Sequence, residues 1–253
     1  MPKLKVGVQL HPQNTTIGEI RKAWQEADAM GVDSIWTWDH FYPLYGDPDA
    51  VHFEGWSLLA AMAVDTSHAQ FGMLVTCNSY RNPDLLADMA RTIDQLSGGR
   101  LILGIGAGWF ERDYDEYGYE FGTAGQRLKA MEDGIARIEA RLAKLNPGPA
   151  GDLPLLIGGG GVKVTLRIVA EKAQMWNTLG PLENFVTKNA VLDEWCTKVG
   201  RDPASIERTV GIWPNELDDL QAYVDAGADH LILALGPPYP MDGVQRMLDF
   251  ARK

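Results

Sequence analysis

The sequence predicts a parallel (β/α)8 barrel, and three observations carry that expectation. Eight short apolar runs alternate with eight segments of helical periodicity across 253 residues, with no long low-complexity linker between them. The runs lack strict polar alternation, as expected of parallel strands covered on both faces. Glycine and polar clusters gather at the carboxyl ends of the runs, the face on which such barrels carry their sites. One barrel domain over residues 1–253 is the expected organisation. The competing fold is a doubly wound open sheet, whose glycine fingerprint should follow the first strand. Here that strand ends in Leu10-His11-Pro12-Gln13 without a glycine cluster.

The elements follow in order. Lys5 to His11 reads as a first strand, and Ile17 to Met30 as an amphipathic helix closed by Gly31. Ser34 to His40 is a second strand, followed by a loop with Pro43, Gly46 and Pro48 and a short helix over Trp56 to Val64. Gln70 to Cys77 is a third strand, and Pro83 to Leu96 a helix with proline in its first turn. Leu101 to Gly106 is a fourth strand, and Gln126 to Leu145 a long helix ended by Asn146-Pro147-Gly148-Pro149. The second half continues with a strand from Leu155 to Gly158, a helix from Val162 to Ala173, a strand from Met175 to Leu179 and a helix from Leu182 to Val199. A strand at Thr209 to Trp213, a helix at Glu216 to Ala226, a strand at His230 to Leu235 and a helix from Met241 complete the pattern.

Composition narrows the function. A formal net charge of −11 argues against nucleic acid, whose phosphates select basic surfaces. No apolar run approaches the roughly 18 to 20 residues of a membrane span, and the start Lys3-Leu4-Lys5 leads directly into a strand, so a cytoplasmic protein is expected. Cys77 and Cys196 are far apart in sequence, which excludes a disulfide framework, and no metal-ligand spacing is present.

The most informative motif is Gly158-Gly159-Gly160-Gly161, between the strand Leu155 to Gly158 and the helical pattern from Val162. A helix start leaves backbone N–H groups unpaired and carries partial positive charge. Glycines remove the side chains that would keep a phosphate from those donors. A tight turn needs fewer glycines than four. Lys163 is the adjacent candidate cation.

Three further strand ends carry polar groups. In Trp36-Thr37-Trp38-Asp39-His40-Phe41, Asp39 could accept a hydrogen bond from a ligand ring and His40 could pass a proton. Neighbours on one strand point to opposite sides, so both reach the barrel mouth only if the strand bends there. His11 has a weaker claim, and His52, His68 and His230 read as loop or helix-facing. Gly104-Ile105-Gly106-Ala107-Gly108-Trp109 admits either a flat ligand near the backbone or tight packing against the next strand. Thr76 and Asn78 are candidate hydrogen-bonders, whereas Cys77 reads as a small buried residue.

These segments resemble the bacterial luciferase-like family, in particular its coenzyme F420-dependent (deazaflavin) oxidoreductases. The likeness is carried by Asp39-His40-Phe41, Tyr80-Arg81-Asn82-Pro83, the stretch from Ser97 to Trp109, Pro154 to Gly161 and Trp176-Asn177. It implies a TIM barrel in which Gly159, Gly160, Gly161 and Val162 hold the cofactor phosphate. It also implies a bulged third strand beneath the deazaflavin ring, with a cis peptide near Met73-Leu74, and His40 as the catalytic histidine. Asp39, Met73, Leu74, Thr76, Gly106, Ala107 and Gly108 complete the cofactor-binding set. Leu44 and Trp109 stand where relatives that oxidise glucose 6-phosphate carry tryptophan and glutamate, which argues against that substrate. The connection from Asn146 to Asp152 also lacks an insertion that most relatives carry.

The expected function is hydride transfer between F420 and a small organic substrate. The alternatives are an FMN-dependent monooxygenase of the same superfamily and a non-catalytic cofactor carrier. The resemblance and an exposed-looking Trp56 to Val64 stretch point to a homodimer.

Overall fold

The computed structural model describes residues 4–252, so Lys3 of the N-terminal reading lies outside the described residues. Nine parallel strands form one sheet: β1 (Lys5–Leu10), β2 (Ser34–Thr37), β3 (Gln70–Met73), β4 (Thr76–Cys77), β5 (Leu101–Gly106), β6 (Leu155–Gly158), β7 (Met175–Leu179), β8 (Glu207–Ile212) and β9 (His230–Leu235). The order β3-β2-β1-β9-β8-β7-β6-β5-β4, with β3 also paired to β5, closes the sheet on itself. β3 and β4 are two halves of one barrel strand, so the fold is the expected eight-stranded barrel.

The helices are α1 (Ile17–Met30), α2 (Gly55–Asp65), α3 (Pro83–Ser97), α4 (Glu111–Tyr117), α5 (Ala124–Leu142), α6 (Thr165–Lys172), α7 (Leu182–Val199), α8 (Leu220–Asp225) and α9 (Asp242–Ala251). Local chemistry sets their ends. Thr16 and Glu19 form a capping box that starts α1, and Gly31 stops it in the left-handed region at φ 81°. Thr123 and Gln126 repeat the capping box at α5. Along the strands, Trp36, Ile102, Leu156, Met175 and Ile232 belong to one buried cluster, while their neighbours Ile35, Leu101, Ile157, Trp176 and Leu233 belong to the larger cluster beneath the helices. That division is the two-layer core of a filled barrel.

Several expectations shift. The second strand stops at Thr37, leaving Trp38 to His40 outside it. The Val162 to Ala173 helix begins only at Thr165, because Leu166 N–H reaches back to the Gly161 carbonyl and residues 162–164 form a turn. The Glu216 to Ala226 segment is a 3-10 turn from Pro214 to Asp219 before α8. The expected exposure of Trp56 to Val64 is corrected. Trp56, Leu58, Leu59, Met62 and Ala63 are buried in α2 within the chain itself, and Val64 is exposed, so this segment no longer argues for a dimer. His230 is also corrected: it opens β9, buried, bonded to Ser34 Oγ at 2.8 Å and to Glu207 at 2.9 Å.

The third strand is broken as well as bulged. Its register with β5 runs Gly72↔Ile102 and resumes at Thr76↔Ile105, so three residues, 73–75, face two, 103 and 104. The extra residue is a β-bulge. The cis peptide falls at Leu74-Val75, one bond beyond Met73-Leu74.

Candidate active site

A cavity of about 500 Å³ opens at the carboxyl ends of the strands, within the range of small-molecule sites. Its lining includes Asp39, His40, Leu74, Val75, Thr76, Gly106, Ala107, Gly108, Gly159 and Gly160. The barrel therefore brings nine of the expected site residues, and Val75 with them, together from four strand ends. Of the other expected cofactor residues, Met73 is buried with its sulfur packed beside Gly55, so it supports the bulge from behind. Gly161 and Val162 continue the glycine loop but do not line the cavity.

The bulge makes the floor. A Cβ on Gly104 would sit 1.9 Å from the Met73 carbonyl oxygen. A Cβ on Gly106 or Gly158 would sit 2.6 or 2.8 Å from the Val75 side chain. Gly104 makes room for the neighbouring strand, and so does Gly106, whose empty Cβ space is filled by Val75 while its backbone still lines the cavity. Val75, which the sequence reading passed over, is the residue these glycines lift into the cavity beside Leu74.

Asp39 lines the cavity, but most of its acceptor capacity is spent within the protein. Its carboxylate takes a bidentate pair from Arg81 at 2.6 and 2.9 Å and the Cys77 N–H at 3.0 Å. Arg81 bridges on to Glu54 at 2.7 Å, and Glu54 in turn caps α2. Asp39 thus ties the bend after β2 to the end of β4.

His40 turns the other way. Its Nδ1 lies 2.7 Å from Oδ2 of Asp113, a fully buried residue of α4. The same oxygen accepts from Tyr80 Oη at 3.0 Å, and Oδ1 accepts from the backbone N–H groups of Phe41 and Tyr42 at 3.1 and 3.2 Å. A carboxylate with those donors fixes the ring so that Nδ1 donates and Nε2 is the remaining ring nitrogen. Cys77 also lines the cavity, where burial raises its thiol above the ordinary value, so it is held as an inert thiol 3.2 Å from Tyr114 Oη.

At the far end, Trp176 Nε1 donates to the Gly159 carbonyl at 2.9 Å and Trp195 Nε1 to the Val162 carbonyl at 2.8 Å, bracing the loop from both sides. The N–H groups of Gly160, Gly161 and Val162 donate to no acceptor among the described residues. The cation against this loop is Lys188 of α7, whose stem would meet a Cβ on Gly160 at 3.3 to 3.5 Å, rather than the exposed Lys163. Thr76 Oγ1 is buried at the cavity wall without a hydrogen-bond partner. Free N–H donors, a cation, an apolar floor and an unpaired hydroxyl fit a phosphorylated planar cofactor. Among the described residues no cluster suits a metal ion.

Valine at Gly160 is expected to weaken cofactor binding at least tenfold, measured by titration. Gly160 does not need a positive φ, so the backbone tolerates valine while its branches displace the Lys188 stem and cover the loop donors. Tenfold is about 1.4 kcal/mol, a modest demand on a lost phosphate contact. Unchanged affinity would remove the loop from the site.

The luciferase-like monooxygenase family profile matches residues 3–246. The chain is 28% identical over 152 residues to the F420-dependent glucose-6-phosphate dehydrogenase of Amycolatopsis mediterranei, covering 59% of this chain and 45% of that one. It is 26% identical over 218 residues to the 5,10-methylenetetrahydromethanopterin reductase of Methanolobus tindarius, covering 79% of this chain and 62% of the relative. The matches thus span about half the length of these curated relatives. Among solved structures, an F420-dependent secondary alcohol dehydrogenase in complex with an F420-acetone adduct superposes with a TM-score of 0.86 at 16% identity, covering 99% of each chain. At that identity the likeness speaks for the fold.

Proposed function

Because the chain belongs to the luciferase-like monooxygenase family, we propose that it is an oxidoreductase using a deazaflavin, coenzyme F420, to oxidise or reduce a small organic substrate. The observation that carries this reading is one cavity joining a loop of free N–H donors at one end to the Asp113-held His40 at the other. The names of the relatives support F420 over the flavin alternative, FMN.

When bound, the cofactor would supply the hydride chemistry. The chain's own groups do the rest. Gly159, Gly160, Gly161 and Val162, with Lys188, hold the anionic end. Leu74 and Val75 provide a flat apolar support, with Thr76 Oγ1 and the strand-end segment Gly106-Ala107-Gly108 at its edge. His40 Nε2 gives or takes the substrate proton, and Asp113 fixes which nitrogen does so. A single barrel domain carries both sites in this reading. No helix among the described residues is long and apolar enough to cross a membrane, and the charge of −11 supports small-molecule rather than nucleic-acid chemistry. A cytoplasmic homodimer is the expectation, with the family resemblance as support for the dimer.

Titration of the protein with F420 and with FMN, followed by calorimetry, tests the assignment. F420 is expected to bind at least tenfold more tightly. Preferential FMN binding with oxygen consumption would replace this reading by the monooxygenase, and binding without turnover of any carbonyl or alcohol would leave a carrier. Failure to bind either cofactor would end the proposal.

A further inference from the structure

Five rings run in contact across the carboxyl face of the barrel. Trp213 after β8, His11 after β1, Trp38 and His40 after β2, and Trp109 after β5 follow one another at centroid separations of 5.7, 4.2, 6.0 and 5.7 Å. Tyr45 packs edge-on to His11 at 5.7 Å, with its hydroxyl bonded to His11 Nδ1. Only the His40 and Trp109 end of this wall belongs to the cavity already described. The remainder lies over β1 and β8, with His11 and Trp38 buried beneath it.

Two features give the wall a chemical preference. Its outer members are large aromatics open to solvent, Trp109 at 64%, Tyr45 at 45% and Trp213 at 40% exposure. Large exposed aromatics grouped on one face, rather than scattered singly, mark a binding surface. The stretch around His11 and Trp38 is also without charge. Burial pushes the His11 imidazole down to about 3, so it stays neutral at ordinary pH. His52, which accepts from Trp38 Nε1 at 2.9 Å, is pushed down to about 4 by burial, with the neighbouring His40 adding to it.

The arginines nearby are already engaged. Arg81 is held by Asp39 and Glu54, and Arg112 by Asp49 and the Pro48 carbonyl while it covers the Tyr42 ring. Arg127 donates to the carbonyls of Gly108, Phe121 and Gly122. An anionic substrate would find no counterion among these arginines, whereas an apolar body would bury aromatic surface against the wall.

We infer that the substrate is an uncharged molecule with a ring-bearing or bulky apolar body, laid along Trp213, Tyr45 and Trp109 with its reacting group toward His40. This rests on the oxidoreductase reading above, which leaves the substrate class open.

The test uses the cofactor-loaded protein with acetophenone and glucose 6-phosphate as probes, reading binding by quenching of tryptophan fluorescence and turnover by deazaflavin absorbance. Acetophenone is expected to bind saturably and at least tenfold more tightly than glucose 6-phosphate. Trp213→Ala and Tyr45→Ala, both at exposed positions, should each weaken acetophenone at least fivefold while cofactor affinity stays within twofold. Tighter binding of the sugar phosphate, or unchanged acetophenone binding in both variants, would overturn the inference. A change of oligomeric state in those variants without a change in acetophenone binding would also overturn it, assigning the wall to a subunit contact. If acetophenone binds as expected but neither F420 nor FMN does, the oxidoreductase reading falls while the wall's preference for apolar ligands stands.

Discussion

His40→Ala is expected to lower turnover by at least a hundredfold, about 2.7 kcal/mol of barrier, while cofactor affinity stays within a few-fold. Delivering a hydride to a carbonyl leaves negative charge developing on oxygen, and a positioned acid that supplies the proton contributes roughly 10²- to 10⁴-fold. In the proposed role the task falls to one nitrogen. Asp113 accepts from Nδ1 at 2.7 Å and is itself anchored by Tyr80 Oη and two backbone N–H groups, so Nε2 is the atom left to work. Asp113→Asn should therefore also lower turnover, by about 10- to 100-fold, because an amide can donate to Nδ1 and favour the wrong tautomer. A His40 that only braced Trp109 and Phe110, its ring neighbours at 5.7 and 5.5 Å, would behave differently. Its loss would reduce stability and cofactor binding together, with turnover per bound cofactor nearly intact. Single-turnover measurement on cofactor-saturated variants separates the two, and a near-normal rate in His40→Ala would sink the catalytic role.

The parts of this site that the sequence made legible share a physical property: each is written in local chemistry. The glycine loop follows a strand of continuous apolar residues, and the glycines of β5 alternate at the period of a strand, so both register in any reading by pattern. Asp113 escaped because α4 is seven residues long and reads Glu-Arg-Asp-Tyr-Asp-Glu-Tyr, without an apolar stripe to announce a helix. Its role depends on a contact 73 residues away in sequence. Lys188 escaped for a similar reason, since only the packing of α7 against the loop distinguishes it from Lys163. Asp39 was found for its position but not for its bonds, because Arg81 lies 42 residues further on. The break between β3 and β4 was invisible from Gln70 to Cys77 itself, since residues 73–75 are as apolar as the strand around them. The signal lay on the partner, in Gly104, Gly106 and Gly158, whose missing side chains record what must fit beside them.

That partnership makes Gly104→Ala the most damaging small substitution expected in the barrel. The added Cβ would lie 1.9 Å from the Met73 carbonyl oxygen, well inside any real contact, and the atom it meets is backbone, so no side-chain rotation relieves it. β5 cannot retreat either, because its other edge is registered with β6 through Leu103↔Leu155, Gly104↔Leu156 and Ile105↔Ile157. Strands in a sheet sit about 4.8 Å apart, and a closed barrel has no edge at which to absorb a widened gap. Overpacking of this kind costs about 3 kcal/mol or more, which for a chain of this size lowers the melting temperature by roughly 6 to 12 °C. Ile105→Val, one residue away, provides the scale: it removes a methyl group from the core without meeting the bulge, and should cost only about 1 kcal/mol. Where the alanine variant still folds, the bulge must shift, moving Leu74 and Val75 relative to the glycine loop and His40, so cofactor affinity should fall with stability. Calorimetric melting and cofactor titration on the same sample check both. A melting temperature and an affinity equal to those of the unaltered protein would show that the strand pair yields at no cost, and the bulge would lose its place as the fixed floor of the site.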